Sequence, residues 1–135
     1  MILSGYEEVE HTADVALRVW GEDFFDLLKQ SARGMYALMG IKRKHGQKTE
    51  VSFEIDPGSM EMQLVDFLNE LLFMIDDKAI YFDNFSLLNS MDVLVVSAIG
   101  HKIESYQRSI KAVTFHNLDI TETKTGCETT ITFDV

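Results

Sequence analysis

Two stretches of apolar residues at helical spacing lie among runs in which apolar and polar residues alternate, and this combination constrains the fold more than any other feature. In the first stretch the small or apolar residues recur every three or four positions: Phe24, Leu28, Ser31, Met35 and Leu38. The second shows the same spacing: Leu64, Leu68, Leu71, Leu72 and Ile75. Such stripes predict two helices that each bury one face in the core.

Local signals predict where both helices begin and end. Asp23 can cap the first helix with its side chain, and Gly40 is a natural stop because glycine readily adopts the left-handed conformation that follows a helix. Ser59 can cap the second helix, and the polar residues 76–78 close it.

Strands are predicted wherever apolar and polar residues alternate with period two, as in Val15 to Trp20. The predicted strands are 6–11, 15–20, 51–55, 85–88, 92–99, 110–116, 118–123 and 127–135, with a polar loop at 41–50, a hairpin turn at 89–91 and a polar connection at 101–109. Residues 93–96 are apolar on both faces, so their strand should be central. The predicted fold is α+β: a mostly antiparallel sheet with two helices packed on it, forming one compact domain over residues 1–135.

The charge of the chain limits its partners. With a formal net charge of −10, the protein is a poor candidate for gripping a nucleic acid and is better suited to a cation or a basic protein partner. One local exception is the basic run from Lys42 to His45, which precedes Gly46. We interpret it as a solvated loop, with contact to RNA or to an acidic partner as the alternative.

Several classes of protein are disfavoured. No apolar run reaches the length of a membrane span, and the first residues lack the basic start of a signal peptide, so we expect a cytoplasmic location. Cys127 has no basic neighbour to stabilise a thiolate, so we expect a structural role. No phosphate-binding glycine loop, nucleophile elbow or Cys-x-x-Cys motif is present, and we therefore predict that the protein is not an enzyme.

Carboxylates at the two ends of the chain form the first candidate site. Asp134 precedes Val135, whose α-carboxylate ends the sequence, and Asp14 follows the predicted first strand. If the first and last strands pair, three carboxylates gather, which is unfavourable unless one takes a proton or a cation sits among them. This arrangement suggests a metal site held by Asp14, Asp134 and Val135, although acidic chain ends are also commonly just solvated.

Three further polar residues could support this site or contact a partner. His11 lies near Asp14, and both Lys111 and His116 lie on the predicted strand 110–116. Lys111 could instead extend its ammonium group to solvent past apolar neighbours, and His116 could be a turn residue. One alternative function for these residues is a small metal-dependent hydrolase that uses His11 or His116 as a base. The absence of a recognisable nucleophile motif disfavours it.

Four blocks of the sequence resemble the archease family, and they occur in the family's order over nearly the whole chain. The blocks are YEEVEHTADVALRVWG at 6–21, LNELLFMID at 68–76, IKAVTFHNL at 110–118 and the terminal FDV at 133–135. Two departures are notable. Phe115 stands where the family often has tyrosine, and neither the basic loop 42–48 nor the polar segment 101–109 matches a family block.

The resemblance implies a function that the residues alone do not. Archeases are accessory proteins of the GTP-dependent tRNA-splicing ligase. They promote guanylylation of the ligase and support its multiple turnover. The implied partner is therefore this RNA ligase, with tRNA involved only indirectly. The implied cofactor is a divalent ion, Ca²⁺ above all, held by Asp14, Asp134 and Val135. The resemblance also implies a chaperone-like fold, and the alternative function is a general chaperone or modulator of RNA-modifying enzymes such as tRNA methyltransferases.

Overall fold

Two helices and nine strands make up the part of the chain that the computed structural model describes, residues 3–9 and 14–135. The predicted α+β class, with antiparallel strands in a single compact domain, is confirmed. The elements in chain order are β1 (Gly5–Val9), β2 (Val15–Gly21), α1 (Phe24–Met39), β3 (Lys42–Arg43), β4 (Thr49–Ile55), α2 (Met60–Lys78), β5 (Ile80–Ser90), β6 (Val93–Ser105), β7 (Ala112–Thr114), β8 (Thr121–Thr123) and β9 (Gly126–Asp134).

The predicted helix boundaries are confirmed. Each helix starts at a side-chain cap and ends at a residue in the left-handed conformation. The Asp23 carboxylate accepts a hydrogen bond from the Asp26 N–H at 2.7 Å, and Gly40 ends α1 in the left-handed conformation with φ 64°. The Ser59 hydroxyl accepts from the Met62 N–H at 3.1 Å at the start of α2. Ala79 adopts the left-handed conformation after Lys78, where the second helix stops.

The strands form two sheets, a division that the alternation of residues does not predict. In the first sheet the order is β1-β2-β9-β7, and β8 also pairs with β9; all pairs are antiparallel. The register of β2 and β9 sets Val15 opposite Phe133. Helix α1 packs closely on the inner face, where a Cβ atom added to Gly34 would collide with Leu17.

In the second sheet β6 is the central strand, as the apolar run 93–96 predicted. β5 pairs along one edge of β6. β4 and β3 pair with successive parts of its other edge. The prediction of a polar connection from 101 was wrong for its first half, because β6 continues to Ser105. His101 is only 2% exposed, and its Nε2 lies 2.7 Å from Asp83 Oδ2 on β5, so a polar residue is paired inside the sheet.

Other stretches also differ from the prediction: β5 extends from Ile80 to Ser90 and not only over 85–88, and β8 covers only Thr121–Thr123 of the predicted 118–123. The polar loop 41–50 contains the short edge strand β3. The predicted strand 110–116 is reduced to Ala112–Thr114, since the chain turns at Asn117, which has a φ of 53°. The end of the predicted first strand at His11 lies outside the described residues.

One apolar core joins the helices to both sheets. α1 contacts mainly β1 and β2, whereas α2 contacts β4, β5 and β7. Phe67 of α2 lies at the centre, fully buried, with its ring 5.4 Å from that of Phe85 and 6.4 Å from that of Phe53. Within the described ranges, no helix is long and apolar enough to cross a membrane.

Candidate functional site

Asp14 and Asp134 lie across from each other at one end of the first sheet. Val15 of β2 pairs with Phe133 of β9, and this register, continued by one residue, sets Asp14 opposite Asp134. The Phe133 side chain is fully buried on the core side of the sheet, whereas Asp134 is exposed. Because successive strand residues point to opposite faces, Asp134 faces away from α1 and the core.

Within the described ranges, the two carboxylates have no partner that would neutralise them. Neither side chain forms a hydrogen bond or an ion pair with any residue in the part of the chain that is described. Like charges directly opposite each other on neighbouring strands are destabilising. The end of the sheet is therefore a place where a cation would be favourable.

Val135 and Lys111 lie beside the acidic pair. Val135 is 42% exposed and follows Asp134 directly. On the other side of β9, the Lys111 N–H donates to the Asp134 carbonyl at 2.8 Å, so the backbone of Asp134 is fixed while its carboxylate stays free. The Lys111 side chain is exposed.

The other candidate residues are placed differently. His116 lies beyond Thr114, which pairs with Thr132, so it is roughly 13 Å along β9 from Asp134 at 3.3 Å per residue. Its ring Nε2 lies 3.2 Å from Asn117 Nδ2, within a turn closed by the Leu118 N–H bond to the Phe115 carbonyl. The structure thus brings Lys111, but not His116, to the acidic pair. His11 lies outside the described residues.

Sequence reasoning missed the residues of α2 that hold this end of the sheet. The Asn69 side-chain oxygen accepts from the Val113 N–H at 3.0 Å, and its amide nitrogen donates to the Val113 carbonyl at 3.4 Å. Glu61 Oε2 accepts from the Ile120 N–H at 2.9 Å, farther along the same segment. The only available signal was a polar residue, Asn69, between Leu68 and two further core leucines.

A second polar group on the outer face of this sheet was also missed. The Arg18 guanidinium lies 3.4 Å from Glu7 and 3.0 Å from Glu128, and its carbon lies 4.9 Å from the centre of the Trp20 ring. The Arg18–Glu128 contact joins β2 to β9, four residues along β2 from Asp14. These exposed pairs contribute modestly to stability, since exposed ion pairs are typically worth up to about 1 kcal/mol.

The donor set at the acidic pair fits a hard cation. Asp14, Asp134 and a carboxylate on Val135 offer only oxygen atoms, which suit Ca²⁺, Mg²⁺ or Mn²⁺ better than Zn²⁺. No cluster of three His, Cys, Asp or Glu side chains that could hold a metal ion occurs among residues 3–9 and 14–135. A third oxygen ligand at the acidic pair would have to come from the main-chain carboxylate of Val135 or from another group.

A model of the archease protein family (MTH1598/TM1083) matches residues 6–135, which is nearly the entire sequence. The chain belongs to the archease family. The match includes both sheets, both helices and the residues at the acidic end. The predicted family membership is thereby confirmed.

Archeases of distant organisms are similar over almost their whole length. That of Methanosarcina barkeri is 27% identical over 139 residues, covering 96% of this chain and 95% of its own. That of Methanothermobacter thermautotrophicus is 30% identical, covering 87% of this chain and 89% of its own. That of Danio rerio is 27% identical, covering 91% and 81%. The similarity therefore extends over most of this chain and most of each relative.

Two solved structures share the fold. The solution structure of Methanobacterium thermoautotrophicum protein 1598 superposes with a TM-score of 0.75 at 22% identity, covering 97% of this chain and 99% of the other. The crystal structure of a Thermotoga maritima archease, described as a possible chaperone, gives a TM-score of 0.74 at 23% identity and covers 96% of both chains. The arrangement of two sheets and two helices is thus an established archease fold.

Within this archease, Cys127 has the properties of a structural thiol. It is a free cysteine and only 6% exposed. Burial raises the pKa of the Cys127 thiol, and the nearby carboxylates of Asp23, Asp26 and Glu122 raise it further. Since the thiolate is the reactive form, this environment keeps Cys127 inert at neutral pH.

Proposed function

We propose that this archease activates a GTP-dependent tRNA-splicing RNA ligase by promoting guanylylation of the ligase and its multiple turnover, in the cytoplasm. The observation that carries the proposal is the pair formed by Asp14, just before β2, and Asp134, at the end of the adjacent strand β9, which no described residue neutralises, in a chain that matches the archease family over residues 6–135. The ligase acts on RNA, and the archease meets RNA only indirectly in this role.

A divalent cation, most suitably Ca²⁺, is proposed at Asp14, Asp134 and the Val135 carboxylate. These residues would hold the ion through oxygen atoms, and the ion would cancel the repulsion between the ends of β2 and β9. Lys111 holds the Asp134 backbone, and Asn69 holds β7 behind it. The chain's own contribution is therefore a rigid acidic surface of fixed shape.

The proposed mode of action is electrostatic docking on the nucleotide site of the ligase. An acidic surface complements a basic pocket that binds GTP and metal, and complementary charges speed encounter and fix orientation. Contacts between exposed charges weaken as salt rises. Activation should accordingly fall at high ionic strength more steeply than the unassisted ligase reaction does.

The protein itself is proposed to supply no catalytic group. His101 is buried with its ring bonded to Asp83, and the ring of His116 lies against Asn117 in an exposed turn. Neither ring has a serine hydroxyl or a cysteine thiol as its hydrogen-bond partner in the described part of the chain. A hydrolase that uses His116 as a base would lack a nucleophile to activate.

The deciding experiment measures guanylylation of purified ligase with GTP and RNA, with and without the archease. Wild-type protein and Glu54→Ala, which removes an exposed carboxylate from the other sheet, should both accelerate guanylylation. Asp134→Ala should fold but fail to accelerate it. Guanylylation of the archease itself, or GTP hydrolysis without the ligase, would instead establish an enzyme.

The role of the last residue can be tested separately. A C-terminal tag converts the Val135 carboxylate into a peptide carbonyl and removes one negative ligand, whereas an N-terminal tag does not. The C-terminally tagged protein should therefore activate the ligase less. Full activation by a protein with several residues added after Val135 would remove that carboxylate from the proposed site.

The alternative function is a general chaperone or modulator of RNA-modifying enzymes such as tRNA methyltransferases. It is favoured by the shared fold of the Thermotoga maritima archease, itself described as a possible chaperone. This alternative predicts that a methyltransferase is protected from aggregation or altered in specificity while ligase guanylylation stays unchanged. Running both assays with one preparation separates the two functions.

A further inference from the structure

The basic run from Lys42 forms a projection from the edge of the second sheet. Lys42 and Arg43 pair with β6 at Ser105 and Ile103, and the Lys44 N–H donates to the Lys102 carbonyl at 2.9 Å. The chain rejoins β6 only at Thr49, which pairs with Gly100. Only one residue of β6 lies between Lys102 and Gly100, so residues 45–48 bulge outward from the sheet. All four residues are exposed.

Positive charge gathers around this projection, although the chain as a whole is acidic. We call the surface the basic corner and define it by six of the chain's 12 Lys and Arg residues: Lys42, Arg43, Lys44, Lys48, Lys78 and Lys102. The Lys102 ammonium donates to the Lys78 carbonyl at 3.0 Å, which joins the end of α2 to the sheet. Half of the chain's basic side chains thus share one corner of the fold.

Most of this positive charge is unpaired within the described part of the chain. Lys42 pairs with Glu104 at 3.2 Å, but both side chains are more than half exposed, so the pair is weak. Across residues 3–9 and 14–135, no carboxylate lies within ion-pair distance of Arg43, Lys44 or Lys48. Three cations on a projecting edge therefore have no ion-pair partner among the residues that the structure describes.

The surroundings favour a narrow polyanion over a broad acidic surface. Asp76 and Asp77 precede Lys78, and Glu50 follows the projection, so negative charge borders the basic corner. A flat acidic protein would meet these carboxylates, whereas a single nucleic-acid strand can follow the projecting lysines alone. Tyr106, 41% exposed, comes directly after the β6 residue that pairs with Lys42, and it offers a ring on which a base can stack.

We infer that the basic corner binds the phosphate backbone of single-stranded RNA, with Tyr106 as a stacking platform. This contact goes beyond the proposed activation of the ligase and does not depend on it. The acidic pair and the basic corner lie in different sheets, so a protein partner and an RNA strand could be bound together.

The test measures fluorescence anisotropy of a labelled oligouridylate with the full chain over a series of salt concentrations. Lys44→Glu combined with Lys48→Glu should weaken binding, whereas Arg33→Glu combined with Lys124→Glu, which changes net charge equally at other exposed sites, should not. Loss of two phosphate contacts should lower the slope of log K against log salt by about 1.4, at 0.7 per contact for single strands.

Further measurements test stacking on Tyr106 and distinguish RNA from an acidic protein partner. Tyr106→Ala should weaken binding of the oligouridylate, and Tyr106→Phe, which keeps the ring, should not. Equal loss in the two double variants would mean that only net charge matters and would overturn the proposal. So would the absence of RNA binding at low salt, or binding of polyglutamate in preference to RNA, which would indicate an acidic protein partner.

Discussion

The side chain of Asn69 on α2 forms both hydrogen bonds that a neighbouring strand would form with Val113. Its oxygen accepts from the Val113 N–H at 3.0 Å, and its nitrogen donates to the Val113 carbonyl at 3.4 Å. β7 is an edge strand, so without Asn69 these backbone groups would lack a partner. Helix α2 thereby fixes the strand whose neighbour, Lys111, holds the backbone of Asp134.

Asn69→Leu should destabilise the protein by about 1–3 kcal/mol, because it leaves the polar groups of Val113, a residue only 4% exposed, buried without partners. Urea denaturation measures the loss, and amide hydrogen exchange at Val113 should become faster. Asn84→Leu, at an exposed position of β5, serves as the control and should change stability little. Equal stabilities for the two variants would show that the Asn69 bonds contribute nothing net.

Gly126 should tolerate no side chain. Its φ of 153° is unfavourable for other residues, and an added Cβ would collide with the Gly21 carbonyl oxygen where β9 meets β2. Gly126→Ala should therefore cost at least about 2 kcal/mol. Gly46→Ala is the matched control, since its Cβ would have nothing within 4 Å. Thermal melts of both variants test this, and similar melting temperatures would contradict it.

The helices could be predicted because their signals are local. Asp23 and Ser59 accept hydrogen bonds from residues three positions ahead. The prediction for Asp14 and Asp134 instead assumed that the first and last strands pair, whereas β9 pairs with β2 and not with β1. The Asn69 contact could not be predicted, because it joins residues 44 positions apart and leaves no periodic pattern.

The second sheet shows the same limit. β6 was predicted too short because His101 and its neighbours are polar, and His101 is satisfied only by Asp83 on another strand. β3 was missed since Lys42 and Arg43 lie on an edge where both faces are exposed, so that no alternation marks them. Pairing across strands, rather than composition, decides both cases.

Stability should decline at alkaline pH partly through Tyr36. Burial raises the pKa of Tyr36, the neighbouring Tyr81 raises it further, and the Phe82 N–H bond to the hydroxyl opposes the shift. Above about pH 10, the usual tyrosine pKa, the unfolded chain loses this proton while the folded protein keeps it. The folded state then binds more protons, and its stability falls as pH rises.

Tyr36→Phe should therefore be less stable near neutral pH, by about 1–3 kcal/mol for the unpaired Phe82 N–H, but should decline less steeply above pH 10. Urea denaturation at a series of pH values provides the measurement. Tyr106→Phe, at an exposed tyrosine, should keep the wild-type slope. An unchanged alkaline slope in Tyr36→Phe would exclude Tyr36 as a contributor.

Asp134→Asn should change stability in opposite directions with and without calcium. In metal-free protein it removes the repulsion with Asp14 across β2 and β9 and should stabilise by about 0.2–1 kcal/mol. In the wild type, calcium bound only to the folded state should add about 2.7 kcal/mol at a hundredfold excess over Kd, and this gain should vanish in the variant. Melting curves of chelator-treated protein with increasing calcium measure both effects. Asp92→Asn, at the exposed β5–β6 turn, should retain the wild-type response. A wild-type melting temperature that does not respond to calcium would show that the acidic pair holds no stabilising ion.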